Sequence, residues 1–295
     1  MCIRDSYRLV ATDYLNSYYG RLAVARMGGK VPPLQTTVVE GPAATRDEAA
    51  SAPPNAALVR ALAAAGLYDD ANAELKYAKR VWGDSAAIQA TLAWVSREQG
   101  MSETGNRRFT LVRGSITTMR RAYPQFLAAG GERLPREILS VIFPLEHWDL
   151  IRKYSQARDL DPYLVAALVA QESTFVPDIK SSANAVGLMQ LLPSTARQYA
   201  RKLGLRYSSR LLTNPEANIR MGTAYFADKI KQFGGIHLAL ASYNAGETPV
   251  RQWIGERPGM AREEFIDDIP YPETQNYVKR ILGTAEDYRR LYSRN

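Results

Sequence analysis

Asp161-Pro162-Tyr163-Leu164-Val165-Ala166-Ala167-Leu168-Val169-Ala170-Gln171-Glu172-Ser173 is the stretch whose reading decides the fold class. Asp161 has the oxygen-bearing side chain of an N-cap, and Pro162 behind it suits the first helical position, where no amide hydrogen is needed. The spacing predicts a helix to about Ser173. Leu, Val and Ala fill nearly every position between Leu164 and Ala170, so the helix is expected to be buried. Val165, Val169 and Glu172 share one face of it. A carboxylate on such a face must either be paired or carry a raised pKa. Its place in the last turn, at the negative end of the helix dipole, also disfavours ionisation. On the helix alone two readings of Glu172 stand: an acid still protonated near neutral pH and able to donate that proton, or a glutamate ion-paired with a neighbouring arginine.

Outward from this helix the same punctuation recurs. A helix from His147 to Arg158 precedes it. Asn214-Pro215 opens another that stops at Gly234-Gly235, Thr248-Pro249 opens a further one, and Pro272 starts the last. The second half therefore reads as a compact α-domain of six or seven helices. Upstream, Pro124 to Pro144 reads as a connector broken by Gly130-Gly131. Before it, Ala56–Gly66 with Asp69–Trp82, and Ala86–Gly100 with Ser102–Ala122, read as helical hairpins of an α-solenoid. Gly28 to Asn55 reads as a linker. Tyr7 to Met27 reads as one or two helices interrupted near Gly20. No run alternates with period two. The fold class is all-α: residues 1–146 form a helical superhelix and linker region, expected to be incomplete, and residues 147–295 form the compact domain.

The 295 residues are 46% hydrophobic and 23% charged, the balance of a chain with a sizeable core. The richest apolar run, Leu164 to Ala170, is too short to span a bilayer. Net charge is +8 and pI about 9.5, but there is no Lys/Arg block, zinc-finger spacing or aromatic–basic signature of nucleic-acid binding. The charge supports general attraction to a polyanion, with nucleic acid, anionic lipid and a carboxylate-bearing cell wall all eligible. Cys2 alone cannot form an internal disulfide and is not a credible nucleophile. His147 and His237 are far apart, so no metal is implied. Met1 to Ser6 lacks the apolar core of a signal peptide, and the abrupt start within a helix leads us to expect a truncated N-terminus.

Three later segments bear on Glu172. Gly187-Leu188-Met189-Gln190 follows a small-residue loop from Ser181 to Ala185 and precedes a helix opened by Pro193-Ser194-Thr195. Tyr243-Asn244-Ala245-Gly246 ends one helix and turns. Glu273-Thr274-Gln275-Asn276-Tyr277-Val278 lies in the first turns of the last helix. Each sets amides or hydroxyls among apolar or aromatic groups at a helix end, equipment for holding sugar hydroxyls and N-acetyl groups. Taken singly, each also reads as a glycine turn, a helix C-cap or a capped N-terminus.

In this order, Gln171-Glu172-Ser173, Gly187-Leu188-Met189-Gln190 with Pro193, Ala241-Ser242-Tyr243-Asn244-Ala245-Gly246, and Glu273-Thr274 with Tyr277-Val278 resemble the catalytic domain of the soluble lytic murein transglycosylases. Tyr18-Tyr19-Gly20-Arg21-Leu22-Ala23 and the upstream hairpins more loosely resemble the superhelical region of that family's long members. The resemblance implies a lysozyme-like α-fold for the second half, peptidoglycan glycan strands as the substrate, a periplasmic location, no cofactor, and cell-wall synthesis or division proteins as partners. Nucleic acid is not expected. It implies that Glu172 protonates the oxygen between N-acetylmuramic acid and N-acetylglucosamine, then serves as base toward the muramyl 6-hydroxyl, giving a 1,6-anhydromuramyl end. Tyr277 would orient Glu172 or the sugar. Ser181, Gln190, Tyr243, Asn244 and Glu273 would line the groove, and Ser173 would be structural. Leu192 departs from the pattern, because the family commonly has Met there to pack on the sugar; leucine supplies similar apolar area.

One carboxylate suits this chemistry. Ordinary glycosidases use two, and no second acid follows Glu172 closely in sequence, the nearest being Asp178. Attack by the substrate's own hydroxyl is unimolecular and needs no ordered water. Two alternatives remain at this point: a lysozyme-type hydrolase of the same bond, and a non-catalytic peptidoglycan-binding scaffold.

Overall fold

A computed structural model describes residues 3–29 and 53–293; the linker reading of Gly28 to Asn55 falls largely outside them. Among the described residues there are helices and no strands, with strand-like pairing limited to isolated bridges at Lys180–Val186 and Val186–Leu191. The chain divides into two compact units: Met1–Pro144 with Arg290–Asn295, and Leu145–Arg289.

The first unit opens with α1 (Ile3–Asp13) and α2 (Tyr18–Arg26). The break between them lies at residues 14–17 and not near Gly20, which sits in the first turn of α2. Ser17 caps α2 by accepting a hydrogen bond from the Gly20 amide at 3.0 Å. A Cβ at Gly20 would run into the Tyr14 carbonyl, so this glycine serves close packing of the turn and does not interrupt a helix. Asn16 ties the turn to a later segment, its amide nitrogen donating to Ala128 O at 2.8 Å.

Next come α3 (Ala56–Ala64), α4 (Tyr68–Trp82), α5 (Ala86–Met101) and α6 (Gly105–Ala122), packed in sequence. Val59, Ala63, Ala71, Leu75 and Val95 make a shared core, each buried aliphatic side chain of the larger kind contributing about 1.5–3 kcal/mol. The segment read as a connector holds another helix, α7 (Arg136–Ile142), with Leu139, Val141 and Ile142 buried. Its flanking prolines and glycines hid it, because they mark the ends of a seven-residue helix as readily as a loop.

The second unit contains eight helices, not six or seven: α8 (Trp148–Gln156), α9 (Pro162–Ser173), α10 (Pro193–Lys202), α11 (Pro215–Phe233), α12 (Ile236–Ala245), α13 (Glu247–Glu256), α14 (Arg262–Asp267) and α15 (Pro272–Tyr292), whose last residues count with the first unit. The short α14 lacks capping chemistry in its side chains and was not legible. At the start of α9 the Asp161 carboxylate accepts from the Tyr163 amide at 2.9 Å and pairs with Arg289 at 2.5 Å. One side chain thus caps α9 and fastens it to α15. α11 runs through the middle, with Asn218, Ile219, Met221, Gly222, Thr223 and Phe226 all buried. It packs on α8, α10 and α12, which is why its burial is not confined to one stripe.

Candidate active site

Glu172 lies in the last turn of α9, before Thr174 and Phe175 at φ 50 and 61 turn the chain sharply away. From Leu164 to Val169 every residue of α9 is buried, so the helix cannot rotate to expose the acid. The carboxylate has one hydrogen-bond partner, the hydroxyl of Tyr277, which donates to Oε1. Among the described residues no lysine or arginine forms an ion pair with it, which removes the paired-glutamate reading. Burial pushes its pKa up to about 7, and the hydrogen bond from Tyr277 is a smaller opposing influence. With no ion pair to it among the described residues, loss of hydration dominates.

The carboxyl opens onto a cavity of about 350 Å³. One wall is α15, where Glu273, Asn276, Tyr277 and Arg280 recur at i, i+3, i+4 and i+7 and so share one helix face. Gln171 and Asn244 complete the lining. Asn244 is held by Thr274, whose hydroxyl donates to its Oδ1 at 2.6 Å. Tyr277 is buried, and burial followed by the charge of Glu172 raises its pKa well above the ordinary phenol value. It therefore stays a hydrogen-bond donor at any physiological pH.

Of the residues singled out in the sequence, Glu172, Tyr277, Asn244 and Glu273 meet at this cavity. Ser181, Gln190, Leu192 and Tyr243 are not among its lining residues. The Ser181 hydroxyl accepts from the Ala185 amide at 3.0 Å and closes the small-residue loop. Gln190, at φ 44, donates through Nε2 to the carbonyls of Gly187 at 2.9 Å and Ile179 at 3.2 Å, folding back on its own loop. Leu192 stands exposed at the start of α10. The Tyr243 hydroxyl donates to Met189 O at 2.7 Å, and its pKa rises well above the usual value through burial first and the Glu172 charge second. Tyr243 thus buttresses the loop from within reach of the acid's field.

That loop, residues 187–190, is held from three helices. Tyr243 holds it from α12. From α9, the buried Ser173 hydroxyl donates to Leu188 O at 2.8 Å. From α11, fully buried Asn218 accepts from the Met189 amide at 2.8 Å and donates to Val186 O at 3.1 Å and Leu212 O at 2.8 Å. Gly187, at φ 86, sits where a Cβ would strike both the Leu212 carbonyl and the Asn218 amide. Sequence reading missed Asn218, since a lone Asn in an apolar helix carries no local signal. It also missed Gln171, Asn276 and Arg280 as lining residues, although the helical spacing from Glu273 marked the last two.

Residues 149–266 match the family model for the transglycosylase SLT domain. The chain is 38% identical over 152 residues to a soluble lytic murein transglycosylase of Salmonella typhimurium, the match covering 50% of this chain and 23% of that protein. It is 32% identical over 155 residues to an endo-type membrane-bound lytic murein transglycosylase A of Enterobacter sp., covering 44% of this chain and 75% of that one. Among solved structures, an inactive mutant of the lytic transglycosylase Slt of Pseudomonas aeruginosa superposes with a TM-score of 0.67 at 27% identity, over 97% of this chain and 42% of that one. The 70 kDa soluble lytic transglycosylase of Escherichia coli gives 0.65 at 27% identity, with the same shares covered. This chain thus spans about a quarter of the soluble Salmonella relative it matches.

Proposed function

The chain belongs to the lytic murein transglycosylase family, and from that premise we propose that its second unit cleaves the β-1,4 bond between N-acetylmuramic acid and N-acetylglucosamine in peptidoglycan, with Glu172 as the sole acid/base and a 1,6-anhydromuramyl end as product. The observation that carries the reading is the Glu172–Tyr277 pair: an acid whose pKa is pushed up to about 7, facing a polar cavity and without an ion pair among the described residues.

Near neutrality a large fraction of Glu172 is protonated, and it can give its proton to the glycosidic oxygen as the C1–O4 bond breaks. The resulting carboxylate then takes the proton of the muramyl 6-hydroxyl while that oxygen bonds to C1, so no water is consumed and the acid is regenerated. The Tyr277 hydroxyl stabilises the carboxylate between the two steps. Gln171, Asn244 and Asn276 present amides for sugar hydroxyls and N-acetyl groups. A 6-hydroxyl already tethered to the reacting sugar gives the closure its advantage over attack by free water.

Hydrolysis of the same bond is the second reading, favoured by one observation: the exposed Glu273 carboxylate lines the same cavity and could serve a water. A peptidoglycan substrate supports a periplasmic location, and residues 147–295 are proposed as the catalytic domain behind the helical region of residues 1–146. Mass spectrometry of muropeptides released from purified peptidoglycan tests the proposal. Products one water lighter than the hydrolysed disaccharides, without a reducible end, are expected, and Glu172→Gln should release none. Reducible muramic ends would establish the hydrolase, and no release by the parent would leave a wall-binding scaffold.

A further inference from the structure

The first unit carries a concave site of its own, of about 880 Å³, lined by α4, α5 and α6. The lining falls at helical spacing on each helix. Asp69, Asn72 and Lys76 come from α4; Leu92, Ser96 and Gln99 come from α5. Asn106, Thr110 and Thr118 follow on α6, with Gly114 between the last two, where a Cβ would meet open space. A solvated outer face of a helical stack is convex and rich in charge. This face is concave and dominated by amides and hydroxyls.

Part of it is preorganised. Gln99 is buried, donates through Nε2 to Asp69 at 2.7 Å and accepts from Asn72 at 3.3 Å. That bridge fixes α4 against α5. The side chains of Lys76, Ser96, Asn106, Thr110 and Thr118 have no partner among the described residues. Arg107 pairs with half-buried Glu103, at 2.8 Å. The groove therefore offers unspent donors and acceptors in rows, with Lys76 as a cation without an ion-pair partner among the described residues and Arg107 shared with Glu103.

We propose that this groove binds an extended peptide bearing free carboxylates, and that the peptide is the stem carried by the peptidoglycan strand; the source rests on the function proposed above. Rows of Asn, Ser and Thr on stacked helices match the alternating N–H and C=O groups of an extended backbone. Lys76 and Arg107 match its carboxylates. A glycan would be served by an aromatic platform for its ring faces, and no aromatic residue lines the groove.

The test is titration of the full chain, by calorimetry, with a purified murein tetrapeptide, its carboxyl-amidated form and a chito-oligosaccharide, all in the Glu172→Gln background so that no probe is cleaved. Saturable binding of the free-acid peptide is expected, weakened at least tenfold by amidation and by Lys76→Glu, with an unchanged melting temperature. Asn106→Ala should weaken it in the same direction. No binding of the tetrapeptide, equal binding by Lys76→Glu, or a chito-oligosaccharide affinity that Lys76→Glu lowers as much as that of the peptide would overturn the proposal. Cleavage of naked glycan by Lys76→Glu in the otherwise unaltered chain should equal that of the parent. If neither cleaves it, the proposed activity fails separately, while peptide binding is still read.

Discussion

The Tyr277 hydroxyl donates to Glu172 Oε1 across 105 residues of sequence, joining the last turn of α9 to the second turn of α15. The two halves of the candidate site are thereby one unit: the acid on a helix that burial immobilises, the donor on the helix that forms the cavity wall. Because this bond favours the ionised carboxyl, it moderates the pKa that burial raises.

Tyr277→Phe removes that moderation while keeping the ring. The Glu172 pKa is expected to rise further above 7, carrying the alkaline limb of the pH–rate profile upward. The rate at neutral pH should fall by about tenfold or more, because a hydrogen bond to the carboxylate, worth ~1.5–3 kcal/mol, is lost. Peptidoglycan cleavage measured from pH 5 to 9 checks this; an unmoved limb and an unchanged rate would remove Tyr277 from the mechanism.

Glu172 should also leave a mark on stability. Its folded pKa of about 7 lies above the ordinary 4.5, so the folded state keeps a proton that the unfolded chain loses across that window. Stability therefore falls as pH rises from 4.5 to 7, by up to about 3 kcal/mol. Glu172→Gln cannot titrate. Urea unfolding should find it equal to the parent at pH 4 and more stable at pH 8, and parallel curves would count against a buried acid.

Asn218→Ala strands the Met189 amide and the Leu212 carbonyl in a buried place, while the Val186 carbonyl keeps its bond from the Leu191 amide. The cost is expected to be about 3 kcal/mol or more, since each stranded group costs ~1–3 kcal/mol. Chemical denaturation measures it. A loss under 1 kcal/mol would mean that water replaces the amide.

Gly187→Ala combines a strained φ with collisions against Leu212 and Asn218. It should destabilise the second unit by at least ~2 kcal/mol. Gly255→Ala, in open space within α13, should be neutral or slightly stabilising under the same denaturation. Equal losses at both positions would show that the close approach at Gly187 is relieved by movement of the loop.

Helix starts marked by Asp161-Pro162, Pro193, Asn214-Pro215 and Pro272 were readable because capping and proline geometry act within a few residues. So was the stop at Gly234, whose φ of 74 is left-handed. The helix Arg136–Ile142 and the true break at residues 14–17 were not, since a glycine next to a turn can end a helix or let two backbones touch, and only the neighbour decides. Gln190 and Tyr243 show the same limit. Their chemistry suits a sugar groove, and only the fold shows that each also donates to a main-chain carbonyl of the loop.

An all-α chain, the caps of its principal helices and a carboxylic acid at the end of an apolar helix were all legible from the residues alone, because helix propensity, capping and periodicity are properties of neighbouring residues. Tertiary packing settles that this acid is hydrogen-bonded to a phenol and not ion-paired with an arginine among the described residues. It also decided that Asn218, Ser173 and Tyr243 converge on one loop, and that the amide-lined face of α4, α5 and α6 is concave. Each of these depends on which distant groups share a place from which water is excluded, and burial of that kind has no local signature in the chain.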